Sequence, residues 1–387
     1  MGLRAYVRTA LRLGCLGFGG PAAVLSMLEE EWCRRKQWMA PERFSQLLAI
    51  VKCFPGPVAT QMVIALGRIG WGARGAALGG LLFVLPAFLL VLVLAVLYQQ
   101  ASWGGSHAGW FWSGMQLGAI AVILISVAQL GRAYRRVGQA WVIAGLSAAV
   151  TARFPQYEPF LILGFGLFSE GLRWFLSRRS RPPVLLSVSV VPAMLLGSEW
   201  LARLSEIFWI CFKAGTFVFG TGLAVIPVLE ADFVGRLGWL THVQFMDAVA
   251  VGQVTPGPVT ISATFLGYQV AGMSGALVAT GGIFLTAFCN GIWTIPWLWS
   301  RVGAKGTGFA SAWLAGAVPA VVGGVFGSGL RLFYLTWEGG AMPALDVGVV
   351  MLAATAALVF ARTPAWGVIL GAGALASALE QLTKIFF

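Results

Sequence analysis

The sequence predicts an all-α polytopic membrane protein with about thirteen transmembrane helices, built from two related halves. Three observations predict this fold. First, 58% of the 387 residues are hydrophobic and only 10% are charged, whereas a soluble protein carries about 25% charged residues. Second, the apolar residues fall in stretches long enough for the ~20-residue helix that crosses a bilayer. Third, a pattern of glycine, proline and tryptophan in the first half returns in the second.

Hydropathy divides the chain into thirteen candidate spans joined by short loops. The spans cover residues 10–30, 44–68, 75–98, 109–131, 137–153, 157–176, 184–201, 206–230, 244–269, 274–299, 310–330, 344–361 and 364–384. The segments 10–30 and 206–230 are interrupted by glycine and carry charge, so we expect each to be a broken or re-entrant helix. No polar stretch is long enough to form a separate soluble domain.

The two halves of the chain align when one is shifted by 201 residues. The alignment matches Gly14 with Gly215, Trp38 with Trp239, and the four residues from Pro55 with the four from Pro256. Chance similarity between apolar segments would match scattered Leu and Ala, not a tryptophan and a Pro-Gly-Pro in register. The alignment predicts a first repeat at 1–183, a linker span at 184–203 and a second repeat at 204–387.

The number and charge of the spans predict how the repeats sit in the membrane. An odd number of spans separates the starts of the two copies, so the second copy should be inverted relative to the first. Most Lys and Arg residues of the first half lie on one side, which the positive-inside rule makes cytoplasmic, together with the N-terminus. Inverted repeats are a common build for secondary transporters.

Composition excludes several classes of function. The 26 basic residues exceed the 14 acidic ones, but they cluster at span ends, so the partner is the lipid bilayer and not nucleic acid. Only two histidines and no Walker A motif are present, and the five cysteines form no C-x-x-C pair. We therefore expect no enzyme activity, no metal site and no cofactor. A homodimer stays open.

Glycine and proline interrupt the spans at equivalent places in both copies. The positions are Gly19, Gly20, Pro21, Pro55, Gly56 and Pro57 in the first, and Gly220, Gly222, Pro256, Gly257 and Pro258 in the second. Proline removes a backbone donor and clashes with the preceding turn, so each motif should break its helix. The half-helix after each break presents free N–H groups and a positive dipole end, which suit an anion. The alternative is a kink used only for packing.

Three basic residues within the spans are candidate ligands for that anion. Arg12 and Lys213 occupy equivalent positions before the first break of each copy, and Lys52 precedes Pro55, with Gln253 as its mate. A cation in a membrane segment costs at least ~2.5–3.5 kcal/mol, so it tends to have a function. The alternatives are snorkelling to lipid phosphate for Arg12 and Lys213, and a structural ion pair for Lys52.

Acidic and neutral polar residues also lie near the breaks. Glu29 and Glu230 are repeat mates that either couple transport to protons or hold Arg12, Arg35 or Arg236 in place. Asp247 lies near the start of a Pro-Gly-Pro span, where it could face a pore. The neutral side chains that could supply hydrogen bonds are Gln61, Thr216, Thr255, Thr260 and Ser262.

Taken together, these motifs resemble the chromate ion transporter family in its long, two-domain form. The resemblance rests on the GFGGP string at 17–21, the charged loop ending at Trp38, the two Pro-Gly-Pro motifs and the FGTG string at 219–222. It implies a multi-pass protein of the prokaryotic inner membrane that exports chromate and confers chromate resistance. One departure is Gly222, which stands where the first copy has Pro21.

The resemblance supplies chromate as the substrate, while the residues alone predict only a site for a small anion. Sulfate, a tetrahedral dianion of similar shape, is the alternative substrate, and an anion channel is the alternative mechanism. A membrane-embedded reductase is disfavoured because the sequence lacks haem, flavin and clustered-cysteine signatures. A proton or the membrane potential is favoured over ATP as the energy source.

Overall fold

The computed structural model describes residues 2–18, 20–52, 54–100, 106–132, 137–177, 199–218, 222–302, 307–338, 342–361 and 363–386, and all regular structure in these ranges is helical. The helices are α1 (Leu3–Leu16), α2 (Gly20–Glu29), α3 (Pro41–Val51), α4 (Val58–Gln100), α5 (Ser106–Gly131), α6 (Gly138–Arg153), α7 (Glu158–Ser177), α8 (Glu199–Thr216), α9 (Val225–Glu230), α10 (His242–Val254), α11 (Ser262–Cys289), α12 (Ile295–Val302), α13 (Thr307–Glu338), α14 (Ala344–Val359) and α15 (Ala365–Phe386). Short π-helical segments at Glu30–Arg35, Ala231–Arg236 and Asn290–Thr294 and 3₁₀ turns at Pro155–Tyr157 and Val259–Ile261 extend them.

The helices confirm an all-α membrane architecture. Within the described ranges, five helical stretches are long and apolar enough to cross a bilayer: Val58–Gln100, Gly109–Gly131, Val259–Ser300, Ala315–Glu338 and Ala365–Lys384. α14 is apolar but shorter. The predicted linker span 184–201 lies almost wholly outside the described residues. The count of thirteen spans therefore stays a prediction, and so does the inverted orientation.

The two longest helices, α4 and α11, each double back on themselves. The helical dihedral angles fail at Trp71 and Gly72 in α4 and at Ala271 and Gly272 in α11, where both glycines have positive φ. The two limbs of α4 contact each other on either side of the turn: a Cβ atom on Gly67 would lie 2.6 Å from the Gly75 carbonyl oxygen. Residues eight apart in a straight helix are about 12 Å apart. Each of the two helices is therefore a tight hairpin, with a turn in the gap that hydropathy left between the predicted spans.

In both repeats, the first helix packs against the hairpin of the same repeat through an equivalent glycine. α1 packs on the second limb of α4 at Gly14, where a Cβ would lie 2.4 Å from the Phe83 carbonyl oxygen. α8 packs on the second limb of α11 at Gly215, where a Cβ would lie 2.2 Å from the Ile283 carbonyl oxygen. Gly14 and Gly215 are repeat mates, so the duplication in the sequence corresponds to a duplicated packing arrangement.

Helix α13 lies at the centre of a second group of helices. Gly316 of α13 packs against the backbone of Phe165 in α7, and Gly323 packs against the backbone of Ala144 in α6. The small residues let the three helix backbones approach closely, as is usual for helices inside a membrane.

Candidate functional site

All four Gly/Pro motifs interrupt helices, as predicted. α1 ends at Leu16 and α2 begins at Gly20, while α3 ends at Val51 and α4 begins at Val58. In the second copy the helix is lost between α8 and α9, and again between Val254 of α10 and the 3₁₀ turn that begins at Val259. Gly19 and Gly220 lie outside the described residues, and so does the side chain of Pro21.

Backbone hydrogen bonds join the breaks crosswise between the repeats. The Gly56 N–H donates to the Val218 carbonyl at 2.7 Å, and the Gly257 N–H donates to the Gly17 carbonyl at 3.0 Å. Gly56 and Gly257 are repeat mates, and Gly17 and Val218 are as well. Each Pro-Gly-Pro motif is therefore bonded to the first break of the opposite repeat, by the same bond in both cases.

The backbone conformation of the Pro-Gly-Pro motifs requires their glycines. Gly56 has φ +122° and Gly257 has φ +103°, values that residues with a Cβ rarely adopt. A Cβ on Gly56 would lie 3.4 Å from the Ala287 Cα, and a Cβ on Gly257 would lie 3.2 Å from the Ala87 Cβ. Both motifs thus lie against the second hairpin limb of the opposite repeat.

Side chains satisfy the carbonyl that the first Pro-Gly-Pro break exposes. The Asn290 Nδ2 donates to the Pro55 carbonyl at 2.8 Å, and the Gln61 Nε2 donates to the same oxygen. In hydrocarbon a freed backbone group needs such a partner, since no water is available. Asn290 belongs to the second repeat, so this contact also crosses between the halves.

Several buried polar atoms beside the Pro-Gly-Pro breaks have no hydrogen-bond partner among the described residues. They are the hydroxyl of Thr60, the Oε1 of Gln61, both amide atoms of Gln253 and the hydroxyl of Thr260. Thr60, Gln61 and Thr260 are 0% exposed and Gln253 is 8% exposed. Leaving a buried polar group unpaired costs about 1–3 kcal/mol, so these atoms point to a bound water, ion or substrate.

The unpaired atoms adjoin the breaks themselves. The Thr260 methyl group lies 3.7 Å from the Cβ position of Gly222, which is in the first break of the second repeat and has φ +83°. Thr60 is in the first turn of α4, three residues after Pro57. Hydroxyl and amide donors at the start of a half-helix can bind an oxyanion together with the free backbone N–H groups.

The three predicted cations differ in their surroundings. Arg12 and Lys52 are exposed, and neither has an ion-pair partner in the part of the chain that the structure describes. Lys213 is ion-paired with Asp232, which is also bonded to Arg236 at 2.9 Å. The charge of Lys213 is therefore already balanced. No described contact brings Arg12 and Lys213 together around a common point.

Glu230 lies beside residues other than Arg12, Arg35 and Arg236, the partners expected from the sequence. Glu230 is 2% exposed and lies 3.7 Å from Arg331 and 3.9 Å from His242, and neither Arg12, Arg35 nor Arg236 pairs with it. Arg331 and His242 belong to α13 and the start of α10, which sequence spacing does not connect to Glu230.

The first-repeat mate of Glu230 has no ion pair in the described ranges. Glu29 is partly buried, while Arg35 pairs instead with Glu30 and Glu31, at 3.7 and 3.8 Å. Glu29 and Glu230 therefore have different surroundings although they are repeat mates.

Asp247 holds three helices together. Its two carboxylate oxygens accept hydrogen bonds from the Tyr98 hydroxyl at 2.7 Å and the Gln116 amide at 2.8 Å. Tyr98 is on the second limb of α4 and Gln116 is on α5, while Asp247 itself is 2% exposed. A carboxylate with two donors and a buried position favours a structural role at this junction.

Sequence reasoning missed Thr60 and Asn290. Asn290 is the one amide side chain in the stretch 283–292, and its repeat mate is Leu90. Thr60 is one of several threonines near the breaks, and only its burial without a partner distinguishes it.

Comparison with known proteins identifies close relatives. The family model described as chromate transporter matches residues 5–169 and 205–377. A chromate transport protein of Cupriavidus metallidurans is 35% identical over 305 residues, which cover 76% of this chain and 74% of that protein. A chromate transport protein of Pseudomonas aeruginosa is 34% identical over 363 residues, which cover 91% of this chain and 85% of that protein.

A third relative, a probable chromate transport protein of Synechococcus elongatus, is 34% identical over 298 residues, covering 74% of each chain. No solved structure matches this chain.

Proposed function

Because the chain belongs to the chromate transporter family, we propose that it is a secondary transporter that exports chromate by alternating access and thereby confers chromate resistance. It is a multi-pass membrane protein of a family of transporters, not of enzymes. The substrate follows from the names of its relatives. The proposed location is the prokaryotic inner membrane, with the N-terminus in the cytoplasm.

The observation that carries the mechanism is the group of unpaired buried polar atoms beside the crosswise-bonded breaks. The hydroxyls of Thr60 and Thr260 and the Gln253 amide are buried but have no partner in the described ranges. Chromate is a tetrahedral dianion, so it can accept hydrogen bonds from several directions at once. We assign the anion to this region, with the start of α4 directing its free N–H groups and positive dipole end toward it.

Positive charge comes mainly from the first repeat in this proposal. Arg12 and Lys52 have no ion-pair partner in the described structure, whereas Asp232 balances Lys213. The two halves then contribute unequally, in keeping with Gly222 standing where the first copy has Pro21. We retain Lys213 as a candidate ligand that would have to leave Asp232 when the anion arrives.

Alternating access is supported by the crosswise hydrogen bonds. If the repeats are inverted and one rocks against the other, the two bonds Gly56–Val218 and Gly257–Gly17 lie at the contact that must change. Inverted repeats with broken helices at the centre of the membrane commonly move in this way. Export of a dianion from a negative-inside cell releases ~2.3 kcal/mol per charge per 100 mV, so the membrane potential favours it.

The test is chromate flux in proteoliposomes that contain the purified protein. We expect Arg12→Gln and Lys52→Gln to reduce flux strongly, and Arg34→Gln, an exposed arginine of a solvated segment, to leave it unchanged. Folding is checked by the thermal midpoint in detergent. Intact flux in both variants would remove these cations from the site, and no flux in the wild type would refute chromate transport.

Two further measurements separate the alternatives. Equimolar sulfate should compete weakly if chromate is the substrate, and strong competition would support a sulfate transporter. A transporter should saturate with chromate and move few ions per second, whereas a channel should give single-channel currents in a planar bilayer.

A further inference from the structure

A second group of unpaired buried polar atoms lies where α6, α7 and α13 pack together. Glu158, the first residue of α7, is 0% exposed, and neither of its carboxyl oxygens has a hydrogen-bond partner in the described ranges. The hydroxyls of Ser147 and Thr151 on α6 and of Ser328 on α13 are also buried without a partner there. We refer to these four residues as the Glu158 cluster.

Close backbone packing holds the Glu158 cluster together. A Cβ on Gly324 of α13 would lie 2.6 Å from Oε1 of Glu158, so the carboxyl group rests directly against the α13 backbone. α6 meets α13 at the same level, since a Cβ on Gly323 would lie 2.0 Å from the Ala144 carbonyl oxygen and one on Gly327 would lie 2.3 Å from that of Ala148. The three hydroxyls lie within about two helical turns of these contacts.

The charged side chains of the neighbouring elements are engaged elsewhere. Arg331 of α13 is 3.7 Å from Glu230 of α9, and Arg153 at the end of α6 lies over the Phe154 ring at 5.2 Å from its centre. No ion pair joins Glu158 to a residue that the structure describes. A carboxylate in this position would be an unpaired buried charge, which is strongly unfavourable.

The surroundings of Glu158 favour a proton as its ligand. A metal cation needs several oxygen ligands around it and room for them, but the α13 backbone covers one side of the carboxyl group. A proton needs no such space, and it removes the unfavourable charge. A buried ionisable residue in a membrane protein often marks a proton relay or an ion pathway.

We propose that Glu158 binds and releases a proton during each transport cycle and so couples chromate movement to the proton gradient. The proposal rests on chromate transport as proposed above and adds the identity of the coupling group. In one conformation the buried carboxyl group is protonated. In the other, access to water lets it ionise.

The first test measures chromate movement in proteoliposomes under two conditions. One is exchange of chromate between the two sides without a pH gradient, and the other is flux with an imposed pH gradient, the pH on the chromate side being held constant. Glu158→Gln copies the neutral carboxyl group, so we expect exchange to persist and the response to the pH gradient to be lost. The matched control, Glu42→Gln, changes an exposed carboxylate and should keep both.

The second test does not depend on transport. The infrared spectrum of the wild type at neutral pH should contain the carbonyl absorption of protonated carboxyl groups. Glu158→Gln should remove the part of this band that comes from Glu158, while Glu42→Gln should leave the band unchanged. If Glu158→Gln does not fold, Glu158→Asp should shift the band and the pH dependence of flux. An unchanged band, or a full response to the pH gradient in Glu158→Gln, would overturn the proposal. A wild type without chromate flux would refute the proposed function, while the infrared band would still decide whether Glu158 is protonated.

Discussion

At the scale of single residues, unpaired buried hydroxyls distinguish a binding site from packing. Thr60 and Thr260 bear such hydroxyls beside the breaks, whereas the Thr280 hydroxyl is bonded to the Ala276 carbonyl and to Thr264. Valine has the shape of threonine without its hydroxyl, so the two kinds of site should respond differently to the same substitution.

We predict that Thr60→Val and Thr260→Val each weaken chromate binding by about tenfold or more, because a hydrogen bond to a charged group contributes about 1.5–3 kcal/mol. The thermal midpoint should stay the same or rise, since the substitution removes a buried polar group without a partner. Thr280→Val is the control, and we expect it to lower the midpoint without changing affinity. Titration of chromate flux and thermal unfolding in detergent measure both quantities. Unchanged affinity in both site variants would exclude these hydroxyls from the site.

Two different roles are expected for Lys213. Its position in the repeat predicts that it binds the anion, whereas its ion pair with Asp232 indicates a structural role. We expect Lys213→Gln to reduce flux by leaving Asp232 incompletely paired, and Lys213→Gln combined with Asp232→Asn to restore it. Flux assays on the two single variants and the double variant form a complete cycle. If the double variant transports no better than Lys213→Gln, the lysine acts on the anion directly.

At the scale of elements, the hairpins of α4 and α11 depend on glycines that face each other across the turn. A Cβ on Gly67 would lie 2.6 Å from the Gly75 carbonyl oxygen, and a Cβ on Gly267 would lie 2.3 Å from that of Gly275. Because backbone cannot move aside as a side chain can, the limbs would have to separate.

We therefore predict that Gly67→Ala and Gly267→Ala destabilise the protein by at least about 1–3 kcal/mol, the usual cost of overpacking. Gly70→Ala and Gly281→Ala are matched controls on the same helices, because nothing lies within 4 Å of the added Cβ. Thermal unfolding in detergent should show a lower midpoint for the first pair only. Equal midpoints in all four variants would mean that the limbs are not in close contact.

At the scale of the whole molecule, an inverted repeat with thirteen spans places the two ends of the chain on opposite sides of the membrane. We predict that a reporter active only in the periplasm is inactive when fused at the N-terminus and active when fused at the C-terminus, with a cytoplasmic reporter giving the reverse pattern. Both ends on one side would require an even number of crossings and would rule out the thirteen-span model.

The sequence predicts the positions of helix breaks well because glycine and proline act locally. The turns near Gly72 and Gly272 and the four interrupted segments all follow from the residues at those places. The partners across the repeats could not be predicted in this way. The bonds Gly56–Val218 and Gly257–Gly17 join backbone atoms far apart in the chain, where side-chain identity gives no signal.

Side-chain contacts between distant segments could not be predicted from the sequence either. The pairing of Lys213 with Asp232 depends on the path of the π-helical segment Ala231–Arg236. Glu158 follows a short loop and begins α7, and nothing in the sequence around it indicates a buried site. The structure shows that its carboxyl group is buried against Gly324 and has no partner among the described residues. Local patterns thus locate the breaks, whereas the charge state of a residue depends on the helices packed around it.

The crosswise bonds also determine how the protein can be divided. Each half contains one donor and one acceptor whose partners are in the other half: Gly17 and Gly56 in the first, Val218 and Gly257 in the second. A half produced alone therefore lacks the hydrogen-bond partners of the backbone groups at its own helix breaks. Two fragments cut between residues 178 and 183, before the predicted linker span, should complement each other when they are synthesised in one cell, and neither should accumulate without the other.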